Sequence, residues 1–358
     1  MNQGLFSRLG DWLRASFPDF HYHVGLSGSA MLLDALLLEP RQTVILPAFI
    51  CCDLSAMAKA AGKRVLHLDA DCGTMHIDPD QLERCLISED PLDTILLIDH
   101  TFGYPFPLLA ALRQKYPDLL IIEDAVRALG TRIAGEPVGR HSDWLLLSLY
   151  KTVPGSQNGA VLLTRNPMTL NTGPAAATTL RERFATIGAC RGPYEFFKRR
   201  SHHYPPPRLD RDKPHWSPVY GVPCDLCLRR FLAEAMNIER SLPWRIAIES
   251  DLRERLSVFR SLRIFQSAND CSPGAYFLSF IVCGASRNGL LAHLHRKGLF
   301  LLRTWDMVPA FYRSFFGTFP FGSAGSEFLA RNIVHVPVDQ FRSAVKRDHL
   351  IRAIKQYL

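Results

Sequence analysis

Six short, mainly apolar runs recur along the first half of the chain, and they limit its fold more than any other feature. They are residues 43–47, 64–69, 94–98, 119–122, 145–149 and 160–164. Each has the length of a strand and is too short for a buried helix. Between them lie segments with helical spacing, at about 30–38, 54–62, 79–87 and 107–115. Gly62 supplies a C-terminal stop and Pro79 a favoured first helical residue. Strands without a polar face, alternating with helices, predict a parallel sheet covered on both sides.

Two of these runs end in charge. Leu119-Leu120-Ile121-Ile122-Glu123-Asp124 delivers a carboxylate, and Trp144-Leu145-Leu146-Leu147-Ser148-Leu149-Tyr150-Lys151 delivers an amine. A buried acid and a buried lysine at neighbouring strand ends suit pyridoxal 5'-phosphate (PLP). Lys151 forms the Schiff base, and Asp124 pairs with the pyridinium nitrogen. Burial beside that ring is expected to lower the pKa of Lys151. The plainer alternatives are a solvated strand-end lysine and an aspartate capping the next helix. Val24-Gly25-Leu26-Ser27-Gly28-Ser29 precedes a helical run, so Gly28 and Ser29 offer backbone N–H groups and the positive end of a helix dipole to a phosphate. The same turn also serves as an ordinary cap.

Other residues have weaker claims. His100 stands at the C-terminal end of a strand, where ligands bind in open α/β sheets, and suits a substrate contact or a structural hydrogen bond. Arg303, in Leu302-Arg303, suits substrate binding or a solvated strand end. Asn158 approaches a cofactor from the turn after Lys151, or only shapes that turn.

The remaining chain divides by pattern. Residues 1–225 form the large unit, with 168–218, rich in Pro, Arg and aromatics, as an insertion. A long helical connection follows over 226–263, and an α+β unit over 264–358 with strands at 276–282, 299–303 and 333–338. Residues 4–17 read as an amphipathic helix that packs on the body or on a partner. No apolar run reaches the ~20 residues of a membrane helix, and the N-terminus lacks a basic region followed by an apolar core. Nine cysteines, an odd number, suit reduced thiols and a cytoplasmic setting. Cys224 and Cys227 form a lone CxxC without the second pair that a zinc ribbon requires, so no metal is expected. Net charge is +8, but the densest basic cluster, residues 198–208, carries no nucleic-acid motif.

Several pieces in order resemble the DegT/DnrJ/StrS family of PLP-dependent aminotransferases: Ser27-Gly28-Ser29-Ala30, Val44-Ile45-Leu46-Pro47, His100-Thr101-Phe102-Gly103, Ile122-Glu123-Asp124-Ala125 with Gly130-Thr131, Lys151 followed by Asn158-Gly159, and Val336-Pro337-Val338. The resemblance implies an α/β, PLP-dependent transferase type I fold with a mainly parallel seven-stranded sheet and a small C-terminal α+β domain. It implies a homodimer that moves an amino group from an amino acid such as glutamate to a nucleotide-linked keto-sugar, in glycan or secondary-metabolite synthesis. It places Ser148 among the phosphate ligands, Cys51 where many members stack an aromatic on the cofactor, and Arg127 where they carry Gln or His. Arg127 then faces the cofactor's phenolic oxygen or a substrate anion, unless it is a surface helix residue. Asp225-Leu226-Cys227 stands where the family carries Asn-x-Arg. Two further readings are a PLP-fold protein that binds without catalysing and a PLP enzyme of another reaction type.

Overall fold

A computed structural model describes residues 3–153, 158–171, 173, 219–303, 305 and 308–358. Most of the 168–218 insertion, with its basic cluster, lies outside the described residues.

The large sheet has seven strands: β1 (His21–Gly25), β2 (Thr43–Pro47), β3 (Arg64–Leu68), β4 (Thr94–Asp99), β5 (Leu120–Asp124), β8 (Trp144–Ser148) and β9 (Ala160–Thr164). Two short strands, β6 (Arg132–Ile133) and β7 (Glu136–Pro137), lie between β5 and β8 in sequence and pair outside this sheet. The order across the large sheet is β1-β9-β8-β5-β4-β2-β3. From β3 to β8 all neighbours are parallel, while β9 runs antiparallel to both β8 and β1. Every residue of β2, β4, β5, β8 and β9 is buried, which explains their near-continuous apolar sequence. The edge strand β1 is only partly buried. Its mixed His-Tyr-His-Val sequence therefore lacks the apolar signal of the other six.

Helices α2 (Gly28–Leu38), α3 (Cys52–Ala60), α4 (Pro79–Ser88) and α5 (Leu109–Lys115) connect the strands. Helix α1 (Gln3–Ser16) buries Leu5, Leu9 and Leu13 against the body. Its Trp12 meets Phe231 of α6 (Asp225–Ala235) edge-on, with centroids 5.3 Å apart. The helical connection consists of two helices, α6 and α7 (Ile238–Ser257). The chain breaks at Met236-Asn237, where the Asn237 amide donates to the Ala233 carbonyl at 2.7 Å and closes α6.

A second sheet joins β10 (Leu262–Ile264), β12 (Phe277–Val282) and β13 (Ile333–Pro337), all antiparallel. The short β11 (Cys271–Ser272) pairs instead with β6. The second sheet shares an apolar core with α7, α8 (Arg287–Arg296) and the closing α11 (Ala344–Tyr357). Two further helices, α9 (Arg313–Phe316) and α10 (Ala324–Asn332), precede β13. The strand expected at 299–303 is not one. Gly298 and Leu299 donate to the carbonyls of His295 and Leu294, so the segment begins as the cap of α8. Only Leu302 reaches the sheet edge, bridging to His335.

Candidate active site

The C-terminal ends of β2, β4, β5 and β8 meet beside the N-terminus of α2, the position where open α/β sheets bind ligands. A cleft of about 280 Å³ opens there. Gly28, Ser29, Cys51, Asp124, Ser148, Lys151 and Asn158, all singled out in the sequence, line it together.

The lysine turn is held from below. Ser148 Oγ accepts from the backbone N–H groups of Tyr150 and Lys151, at 3.2 and 3.1 Å. Both acceptor bonds leave the Ser148 hydroxyl hydrogen free to point elsewhere. The Leu149 N–H donates to Gly159 O, Gly159 N–H to Leu26 O, and Leu26 N–H to Gly221 O. These bonds tie the lysine turn, the Gly/Ser turn and the chain after the insertion into one wall. Gly159 has φ +101°, and a Cβ there would lie 2.9 Å from Leu149 Cδ1 and 3.0 Å from Pro223 Cβ. Only glycine fits this crossing.

At α2, Ser27 is the N-cap but makes no side-chain cap bond, and its hydroxyl instead meets Ser29 Oγ at 2.8 Å. The helix therefore presents backbone N–H groups and two hydroxyls to the cleft, an arrangement suited to an anion. A Cβ at Gly28 would stand 3.1 Å from Leu146 Cδ1, so the helix start is pressed onto β8.

Asp124 ends β5 and is 4% exposed, with Oδ1 accepting from Val126 N–H at 3.1 Å. Burial raises its pKa, against the opposing pull of Lys151. Lys151 stands here without the ring beside which its pKa was expected to fall. Burial lowers its pKa, as anticipated, but attraction to Tyr150, Cys51 and Asp124 outweighs burial together with repulsion from Arg127, and the net shift is upward. The amine of the cofactor-free protein is thus held as an ammonium. Burial pushes the Cys51 thiol up to about 11, so it faces Lys151 as a neutral group near pH 7.

Three expected residues do not line the cleft. His100 is fully buried. Its Nδ1 accepts from Phe106 N–H at 3.2 Å, which leaves Nε2 as the donor to Glu123 Oε2 at 2.7 Å. Neither ring nitrogen is free for a substrate, and the structural alternative describes this residue. Arg303 is 8% exposed, follows the Leu302 bridge to β13, and is not among the residues that line the cleft. Arg127 is half-buried. Its guanidinium carbon sits 4.5 Å from the Phe102 ring centroid and 5.6 Å from that of Phe277. Burial lowers its pKa, while Asp99, Cys51, Tyr150 and Asp124 hold it up.

Sequence reasoning passed over Ser27, Asp53 and Tyr150, which also line the cleft, and Asp99 at the end of β4. The signal for Asp99 was present, because an apolar run ending in an acid is the pattern that singled out Asp124. Among the described residues no group of His, Cys, Asp and Glu is placed to hold a metal ion, and no helix is long and apolar enough to cross a membrane.

The sequence model of the DegT/DnrJ/EryC1/StrS aminotransferase family matches residues 24–171. Over those residues the chain is similar to this aminotransferase family. The matched stretch contains all of the cleft residues except Val219, and no curated protein sequence matches the chain significantly. Among solved structures, a DegT/DnrJ/EryC1/StrS aminotransferase from Brucella abortus superposes with a TM-score of 0.71 at 18% identity, covering 98% of this chain and 90% of that one. S. venezuelae DesV, solved with a ketimine intermediate, gives 0.69 at 20% identity, covering 99% and 88%. The sugar aminotransferase CalS13 from Micromonospora echinospora gives 0.67 at 18%, covering 98% and 92%. At such identities the likeness is one of fold, and that fold is the type I fold of PLP-dependent aminotransferases.

Proposed function

We propose that this aminotransferase works with PLP and transfers the amino group of an amino acid such as glutamate to a keto-sugar, most simply a nucleotide-linked one. The observation that carries the reading is that Lys151 and Asp124 share one cleft with the uncapped N-terminus of α2. The residues present fit the cofactor. Ser27, Gly28, Ser29 and Ser148 offer hydroxyls and N–H groups for the phosphate, and Asp124 offers a buried carboxylate for the ring nitrogen.

PLP, when bound, supplies a carbonyl carbon that takes up the amino group and a ring that accepts the electron pair. The protein's own residues do the rest. Asp124, as a carboxylate, keeps the ring nitrogen protonated. Lys151 would hold the cofactor through Nζ and, as a free amine, would serve as the base that takes the proton from the donor's α-carbon. The serine-lined helix end anchors the phosphate so that these groups keep their registry. Cys51, a neutral thiol, lines the cleft where the resemblance would put a stacking aromatic. The keto-sugar acceptor draws support from the sugar aminotransferase among the structural relatives. A homodimer, a cytoplasmic setting and a role in glycan or secondary-metabolite synthesis complete the proposal by the same resemblance.

The test is an absorbance spectrum of the purified protein with added PLP. A band at the edge of the visible that is lost in Lys151→Ala supports the reading, and glutamate should then bleach the wild-type band without loss of carbon from the donor. A protein that takes up no PLP would be a non-catalytic relative. One that binds PLP but releases CO2 from the donor would run another reaction.

A further inference from the structure

Asp99 and Asp124 are register partners at the C-terminal ends of the adjacent parallel strands β4 and β5. Register partners on neighbouring strands point to the same face of a sheet, with their strands about 4.8 Å apart in the hydrogen-bonding direction. Asp99 is 5% exposed and Asp124 4% exposed. Asp99 Oδ2 is buried without a hydrogen-bond partner, and so is Arg127 Nε. These opposite charges influence each other, yet among the described residues they form no ion pair within 4 Å. Buried polar atoms left without partners are uncommon and call for a cause. Two buried acids side by side, one of which lines the cleft, supply one.

We propose that Asp99 is a second acid of the cofactor site, a positioning residue that acts through Asp124 and Arg127 to set the charge presented to the cofactor's ring nitrogen. The inference rests on the PLP reading above. With the site empty, two buried carboxylates side by side resist holding two negative charges, and the pair keeps a proton. Burial raises the pKa of Asp99 well above the usual range, and Asp124 raises it further, against Thr101, Arg127 and Lys151. The other titratable groups nearby are His76, which hydrogen-bonds the Asp99 backbone, His100 next in the chain, and Cys51 across the cleft. When the protonated ring nitrogen docks on Asp124, its positive charge replaces the shared proton, which leaves to solvent. Arg127, without a contact ion pair, stays available to neutralise Asp99. The site therefore favours a ring that carries its own proton, and cofactor affinity becomes linked to pH.

The experiment compares wild type with Asp99→Asn in two measurements from pH 5 to 8: PLP dissociation constants by absorbance titration, and urea unfolding of the cofactor-free proteins. In the wild type, affinity tightens with pH by up to about tenfold per unit for one released proton. Ionisation of PLP itself contributes equally to both proteins, so the difference between the two slopes reports the pair. The folded protein binds the pair's proton more tightly than the unfolded chain. That contribution to stability is present below the ordinary carboxylate range and is lost as pH rises through the folded-state value. Both slopes should be shallower in D99N. Equal slopes in two proteins that both bind PLP would overturn the proposal alone. Failure of both to bind PLP would overturn the cofactor reading and the proposal with it. If D99N does not fold, Asp99→Ser takes its place with the same outcomes.

Discussion

Replacing Ser148 with alanine removes three potential hydrogen bonds through one atom, and the structure separates their consequences. Two are bonds that Oγ accepts from Tyr150 and Lys151 N–H. Each contributes about 1 kcal/mol net. Tyr150 and Lys151 border the cleft, where water can replace part of the loss, so unfolding stability should fall by about 1–2 kcal/mol. The third is the bond that the free hydroxyl hydrogen would donate to a phosphate. A hydrogen bond to a charged group is worth about 1.5–3 kcal/mol, which converts to a roughly 10- to 150-fold weaker dissociation constant. Urea unfolding of the cofactor-free protein measures the first effect, and PLP titration monitored by absorbance measures the second. A Ser148→Ala protein that unfolds as expected but binds PLP as tightly as the wild type would refute the phosphate assignment. It would leave the turn geometry intact as a purely structural device.

Two further outcomes test the supporting framework. Gly159→Ala should lower stability by about 2–4 kcal/mol, combining a strained positive φ with crowding against Leu149 and Pro223. Because the lysine turn rests on that crossing, the variant should also bind PLP more weakly, and a melt within 0.5 kcal/mol of wild type would contradict the packing argument. His100→Ala should cost about 1–3 kcal/mol, because the buried Glu123 Oε2 loses its His100 donor and keeps only the Gly139 N–H. If His100 instead touched substrate, the variant would keep its stability and raise KM, which steady-state kinetics on any accepted substrate would reveal.

Much of the site was legible because it lies at strand ends. Asp124 and Lys151 each follow a fully buried apolar run, and a charge placed there has few reasons to persist without a partner. Gly28 and Ser29 were legible because a Gly/Ser turn before a helix exposes N–H groups whatever surrounds it. His100 shows the limit of the same rule. It also ends a strand, but the chain turns at Thr101–Gly103 and aims its ring at Glu123, whose position depends on β5. Arg127 was singled out by its place after Asp124, yet its setting is made by Phe102 in the turn after β4 and by Phe277 of β12, about 150 residues further along the chain. The strand expected at 299–303 failed because an apolar run satisfies a helix cap as well as a sheet.

Local order in the sequence thus determined the alternating strands and helices, the anion-binding turn, and the residue types offered at each strand end. Those follow from hydrophobic periodicity and capping, which act over a few residues. Only the tertiary structure decided which strand ends stand side by side. Strand order and register are set by packing between distant segments, and they bring Asp99 beside Asp124 and add Cys51 and Asp124 to the adjacent Tyr150 in raising the pKa of Lys151 against burial. The charge state of the site is a sum over neighbours, and the neighbours of Lys151 come from three separate strand ends.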